Sequence, residues 1–517
     1  MFYNCTALTT APELPATTLV DECYSQMFYN CTALTTAPVE LPATTLARSC
    51  YQQMFQSCRS LTTAPKLPAT TLANSCYTLM FNSCSSLTTA PELPAATLVN
   101  GCYQFMFGYC SKLNYIKMLA TDISASGCLD NWLNQVANTG TFIKHTNMTS
   151  LRTESESGIP RGWTVKNDII YLKFTAEEDN STISLNAATS PDIKYSLNGG
   201  DWTQWDYRAI TLNAGDNVRM KGNNSNGFSK GSSYNQFSMT GKIGASGNIM
   251  SLLYDDVFEG KLTIPCENCF HSMFSGCTSL TTTPELPATT LTNWCYCKIF
   301  KGCTSLITSP ELPATTLAIA CYNDMFKDCT GLITAQDLHA TTLAISCYQN
   351  MFQGCRSLTT APELPAMTLT TDCYNSMFLG CTSLTTAPEL PATTLANSCY
   401  SQMFSGCTSL TTAPELPATT LTQWCYHQMF FGCTSLTTVP ELPATTLTLC
   451  CYNCMFNGCT KLNYIKMLAT DVSAPGCLDG WVYDVASTGT FIKHPNMTSL
   501  SSGPSGIPSG WTVQNAA

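Results

Sequence analysis

The chain has 517 residues, a formal net charge of −10 and only 11% Asp, Glu, Lys and Arg, so its polarity comes from Thr, Ser and Asn. An acidic balance without clustered Lys and Arg argues against nucleic acid as a partner, because phosphate binding needs grouped cations. No run of 18 or more apolar residues occurs, so no membrane-spanning segment is expected.

Residues 1–110 repeat one phrase, with Cys5, Cys31, Cys58, Cys84 and Cys110 at equivalent places. The one longer step comes from Val39, inserted before Glu40, where an extra residue points to a loop or bulge rather than packed core. Met1 falls in register with Met27, Met54, Met80 and Met106, and residues 1–20 lack a basic start and an apolar stretch. The expectation is a chain that opens inside a repeat, a fragment of a longer protein. Residues 111–167 depart from the phrase and are read as a C-terminal cap. Leu129, Trp132, Leu133 and Val136 have the spacing of one helix face, and Thr141 to Lys144 reads as a short strand.

Residues 168–246 have a different grammar. Short strands are expected at 169–174, 182–185, 193–197, 209–212, 217–221 and 236–240, with a hairpin turn at Asn198-Gly199. Six short strands in this length predict a small antiparallel β-sandwich. Trp202, Trp205 and Tyr207 could stack on a sugar, or be half core and half surface. Residues 247–265 read as the entry to a second array that fills 247–459. There the repeat Cys returns every 26 residues, from Cys277 through Cys303, Cys329, Cys355, Cys381, Cys407 and Cys433 to Cys459. Residues 460–517 repeat the text of 111–167 and are read as a second cap.

A unit this short cannot bury its own apolar side, but stacked units can, so the array should be a solenoid. Within one copy, CTSLTTAPELPATTLANSCYSQMFSG, the stretch Leu384 to Leu390 is too short and proline-broken for a helix and reads as extended. Cys399, Met403 and Phe404 have helical spacing and predict one helical turn. The phrase MFxGCTSLTTAPELPATTL resembles the BspA-like leucine-rich repeat, over about two-thirds of the chain. The resemblance implies a solenoid with a short strand and a helical turn per coil. It also implies a non-enzymatic bacterial surface or secreted protein of extracellular or cell-surface location, adhering to a host or bacterial surface protein or glycan. A phage fibre component, or a binding appendage of a glycan-degrading protein, is the competing carrier.

Several columns follow from the period. The 31 Cys occur mainly in two columns, which reads as ladders of small buried thiols rather than a disulfide framework. Glu363, Glu389 and Glu415 belong to an acidic column that recurs once per coil, broken by Lys66 in the first array. The column reads as a solvated stripe or a contact face. One carboxylate per coil is a poor calcium cage. Thr359-Thr360, Thr385-Thr386 and Thr411-Thr412 form a hydroxyl-and-methyl face. The prolines would kink a flat ice-binding plane, leaving a structural ladder or a broad face for a protein or glycan. Cys266-x-x-Cys269 and Cys450-Cys451-x-x-Cys454 look like metal motifs in isolation but lie at opposite ends of the second array, so no metal or cofactor is expected. No nucleophile phrase or phosphate loop accompanies the five scattered His residues, and no enzymatic activity is expected. The contact residues expected are these six Thr and three Glu, with Trp202, Trp205 and Tyr207 as an accessory site.

Overall fold

A computed structural model describes residues 2–145, 148, 151, 157–498 and 500–516. It divides into two compact units, Met1–Ile169 and Ile170–Ala517. Both are built on stacked coils of about 26 residues with very little helix: among the described residues, one four-residue α-helix (α1, Ser251–Tyr254) and one three-residue 3-10 turn, Asp255–Val257.

The segment expected as a helical turn is not helical. Ser398, Gln402 and Gly406 have φ of 55, 55 and 74°, a left-handed residue at every fourth position. Between them the N–H groups of Cys399, Ser401, Met403, Ser405 and Cys407 each donate to the carbonyl three residues back, at 3.0 to 3.3 Å. The alternate N–H groups of Ser398, Tyr400, Gln402, Phe404 and Gly406 donate instead to the next coil, to the carbonyls of Gln423, Cys425, His427, Met429 and Phe431. The backbone is thus a flat ribbon of tight turns, half of its bonds internal and half directed to its neighbour. An α-helix would close i to i−4 bonds within itself and leave nothing for the next coil. The ribbon turns its buried side chains inward in pairs: Cys399 with Tyr400, then Met403 with Phe404, then Cys407. Spacings of four and five fit both this ribbon and a helix face, which is why the periodicity misled. The same correction holds for Leu129 to Val136, where Gly127, Asn131 and Gln135 have φ of 64, 52 and 59°.

Stacking in register makes columns of identical rings. From Phe274 to Phe456, successive Phe rings are parallel with centroids 5.5 to 5.8 Å apart. A Tyr column from Tyr296 to Tyr452 does the same at 5.7 to 6.0 Å. The Cys of each MFxxC phrase adds a second function to its small size. Its thiol donates to the Phe carbonyl of the preceding coil, Cys381 to Phe352 at 3.1 Å and Cys407 to Phe378 at 3.2 Å. No disulfide joins the cysteines, which are free and mostly buried.

The first unit ends in a parallel sheet of β1 (Tyr115–Met118), β2 (Gly140–Lys144) and β3 (Trp163–Asn167), in that order. The second unit opens with short strands: β4 (Leu172–Ala176), β5 (Ser181–Ala187), β6 (Lys194–Leu197), β7 (Thr203–Gln204) and β8 (Ile210–Leu212). β9 (Asn217–Lys221), β10 (Asn235–Thr240) and β11 (Ile243–Ser246) follow, and β12 (Leu280–Thr282) lies in the first full coil. One sheet has the order β12-β11-β4-β9-β6-β7 and another β10-β5-β8. All these pairings are antiparallel except β11 with β12. Sequence reasoning did not anticipate that parallel join. Through it the strand region takes the place of a preceding coil. Phe237 stacks on Phe274 at 5.3 Å, and the Cys277 thiol donates to the Phe237 carbonyl at 3.2 Å, as Cys381 does to Phe352. The unit closes with β13 (Tyr464–Met467), β14 (Thr490–Lys493) and β15 (Thr512–Asn515), again a parallel sheet in chain order.

Candidate functional site

The repeat sequence decides which side chains leave the core. After Leu358, Leu384 or Leu410, all fully buried, the Thr pairs Thr359-Thr360, Thr385-Thr386 and Thr411-Thr412 are exposed. Thr360, Thr386, Thr412 and Thr438 pair coil to coil as single parallel bridges, so the hydroxyls and methyls form a regular ladder. Three residues further on, Glu363, Glu389 and Glu415 are exposed while the Leu after each is buried, which sets the acidic column outward.

The prolines beside each Glu shape the surface. Proline has no N–H to donate. Between the bridges Thr360 to Thr386 and Thr368 to Thr394, the APELP stretches of these two coils make no backbone hydrogen bond to one another. A cleft of about 210 Å³ opens there between Pro362, Pro365, Pro388 and Pro391, with Glu363 and Glu389 on its rim. The next, of about 320 Å³, lies between Pro388, Pro391, Pro414 and Pro417, with Glu389 and Glu415. An equivalent cleft occurs at Glu285 with Glu311, and in the first unit a cleft between Pro65, Pro68, Pro91 and Pro94 carries Lys66 beside Glu40 and Glu92.

The acidic column ends in a lysine in each unit. Lys466 Nζ lies 2.6 Å from Glu441, and Lys117 Nζ lies 3.3 Å from Glu92 and 3.2 Å from Asp168. Burial lowers the Lys117 ammonium, but the Asp168 and Glu92 carboxylates outweigh it and hold the group above its ordinary range. Sequence counting missed both lysines. A step of 26 sets Glu441 against Met467, whereas the structure pairs Leu442 with Met467, because the last coil is one residue shorter at that point.

The aromatic trio does not make one platform. Trp205 is 3% exposed, stacks on Phe237 at 6.1 Å and donates its indole N–H to the Arg208 carbonyl. Tyr207 packs edge-on against Trp205, and its hydroxyl donates to the Pro191 carbonyl. Trp202 is half-buried elsewhere, against Tyr171, with Lys221 Nζ 4.8 Å and Arg219 5.7 Å from its ring. Lys221 is held 2.7 Å from both Asp255 and Asp256. Its burial lowers it, and the two carboxylates raise it further. Lys221 is therefore neutralised by its own two carboxylates rather than left open to a ligand.

Most of the thiols are packed inside the columns. Burial pushes Cys381 and Cys425 up to about 12 and the Tyr400 and Tyr426 hydroxyls well above their usual range. Cys266 differs: a hydrogen bond from Cys269 brings it down to about 7, against its partial burial. Among the described residues, no three His, Cys, Asp or Glu side chains converge as a metal site would require. No helix of the described residues is long and apolar enough to cross a membrane.

The stacked coils and the buried Leu, Phe and Cys columns define a leucine-rich-repeat-like solenoid, the class whose members generally act as non-enzymatic scaffolds that bind proteins. The family model described as the BspA type leucine rich repeat region, in six copies, matches residues 1–127, 260–385, 293–437 and 371–473, and the chain belongs to that family. A crystal structure of a leucine-rich repeat protein from Bacteroides ovatus ATCC 8483 is similar at 15% identity and a TM-score of 0.26, over 90% of this chain and 80% of that one. At that score it adds nothing to the assignment, which rests on the family match. No curated protein matches the chain.

Proposed function

We propose that the chain is a non-enzymatic recognition protein of the bacterial cell surface or its surroundings, and that its second array presents a broad contact face to a protein partner. The organisation that suits this role is an array at 1–110 with a cap at 111–167, strands at 168–246 folded as a β-sandwich, and a second array at 247–459 capped by 460–517. The observation that carries the reading is the repetition of exposed Thr and Glu at identical places on successive coils, above a column of buried rings. A rigid, periodic surface can gather many modest contacts without ordering loops on binding. Thr359, Thr360, Glu363 and their equivalents are the contact residues. A glycan is the second possible ligand, and Trp202 the residue to test for it, because its half-buried ring stands apart from the Trp205–Tyr207 pair.

The test is an array of extracellular proteins and glycans probed with the full chain and with a Thr360→Arg/Thr386→Arg/Thr412→Arg variant. The expected result is protein ligands bound by the native chain and lost by the variant. Ligands that bind both equally, with circular dichroism unchanged, would place recognition elsewhere. Loss of glycan signals alone on Trp202→Ala would move it to the strand region.

A further inference from the structure

We propose that the proline-walled clefts between Glu363 and Glu415 form a docking groove for an extended cationic polypeptide segment, with Lys or Arg stems in successive clefts and their charges between successive carboxylates. This rests on the reading that the array face binds a protein, and it supplies the chemistry of that partner.

The first ground is the shape and lining of the clefts. Each places four proline rings, which are apolar and rigid, below two carboxylates. Glu389 is on the rim of both, so adjoining clefts share a wall and form a row rather than isolated pits. A long side chain with an apolar stem and a charged end matches that lining. The second ground is that, among the described residues, no cation is paired with Glu363, Glu389 or Glu415. The third is internal. At the end of this row the chain's own Lys466 reaches Glu441 at 2.6 Å, and the first unit repeats the arrangement with Lys117 and Glu92. The molecule thus already shows the contact that the open carboxylates lack.

Spacing admits an extended segment. Thr360, Thr386, Thr412 and Thr438 are bridged as neighbouring parallel strands, which sets the coil step on this face at about 4.8 Å. Alternate side chains of an extended chain advance about 6.6 Å. The mismatch of about 2 Å per step is within the reach of a flexible lysine over two neighbouring clefts. The row also has a defined beginning. One coil before Glu363, Gln336 and His339 replace the two prolines beside Asp337, so the paired proline walls are missing there.

The experiment titrates the full chain into two fluorescent octapeptides, (Thr-Lys)4 and (Thr-Gln)4, and reads anisotropy at low and high salt. The lysine peptide is expected to bind with an affinity that falls as salt rises, and the glutamine peptide not to bind. Glu363→Gln/Glu389→Gln/Glu415→Gln should weaken binding about tenfold, as three exposed ion pairs would. Glu178→Gln/Asp201→Asn/Asp206→Asn removes the same charge from the strand region and should leave binding unchanged. Equal loss in both triple variants, or equal binding of both peptides, overturns the groove. If neither peptide binds while the Thr variant still loses its protein ligands, the cationic partner is wrong and the protein-binding face stands.

Discussion

The second array and the strands of residues 172–246 set the angles between their aromatic rings by different rules. In the array, the Phe column from Phe274 to Phe456 keeps each ring parallel to its neighbour within 2 to 9°. In the strand region the angles follow no single rule: Phe237 meets Phe228 at 10° and Trp205 at 22°, while Phe174 meets Phe237 at 55° and Phe274 at 72°, and Trp205 meets Tyr207 at 66°. A ring in the array is placed by the period. A ring in the strand region is placed by partners that occur once. Array stability should therefore be a sum of neighbour terms, and strand-region stability a shared property of the whole sheet.

The largest test of that contrast is a cavity in each. Phe378→Ala should cost about 3–5 kcal/mol, the usual range for a buried ring. Hydrogen exchange should rise in the coils around it and leave residues 172–246 protected. Phe174→Ala should cost a similar amount but loosen its sheet throughout. Exchange that rises evenly across both regions in both variants would remove the distinction.

Alkaline pH separates the regions by a different force. Cys381, Cys373 and Cys425 are pushed up to about 12 by burial, from 9.0 in an unfolded chain. A raised folded value means the unfolded state holds fewer protons above pH 9, so stability falls as pH rises from 9 toward 12 and is flat below. Each such thiol loses about 1.4 kcal/mol per pH unit over that window. Thermal scans from pH 6 to 11 should show the array failing first. A stability that holds to pH 11 would contradict burial of the column.

Smaller effects test the ribbon itself. Gly380 has φ of 73° and open space where a Cβ would stand, so Gly380→Ala isolates the cost of the backbone, about 1–2 kcal/mol. Cys407→Ala removes the bond to the Phe378 carbonyl and should cost about 1 kcal/mol in urea unfolding. Ser346, at φ 54°, should gain about 0.5 kcal/mol on replacement by Gly. If Ser346→Gly destabilises as Gly380→Ala does, the left-handed positions are not real.

What could be read in the sequence follows the same contrast. Coil length, the buried Leu and Cys columns and the strand positions were legible, because repetition and alternation report them directly. The ribbon was not: Cys399, Met403 and Phe404 fit a helix face as well as paired inward positions, and the one hint of the left-handed residues was the Gly column at 276, 302, 354, 380, 406, 432 and 458. The outward Thr and Glu were legible by position. The clefts were not, since the prolines read only as strand breakers. Lys466 was hidden by a one-residue deletion, and the inward turn of Trp205 depends on Phe237, far away in sequence.

The most direct measurement of register stacking is a thiol titration with a chromogenic disulfide. Of 31 cysteines, only Cys5, Cys23, Cys266 and Cys454 are exposed or half-exposed. The native protein should titrate at most these four, Cys266 fastest at neutral pH, and denaturant without reductant should release all 31. Reaction of most thiols in the folded protein, or a shortfall after unfolding, would mean that the coils do not stack their cysteines as free, buried columns.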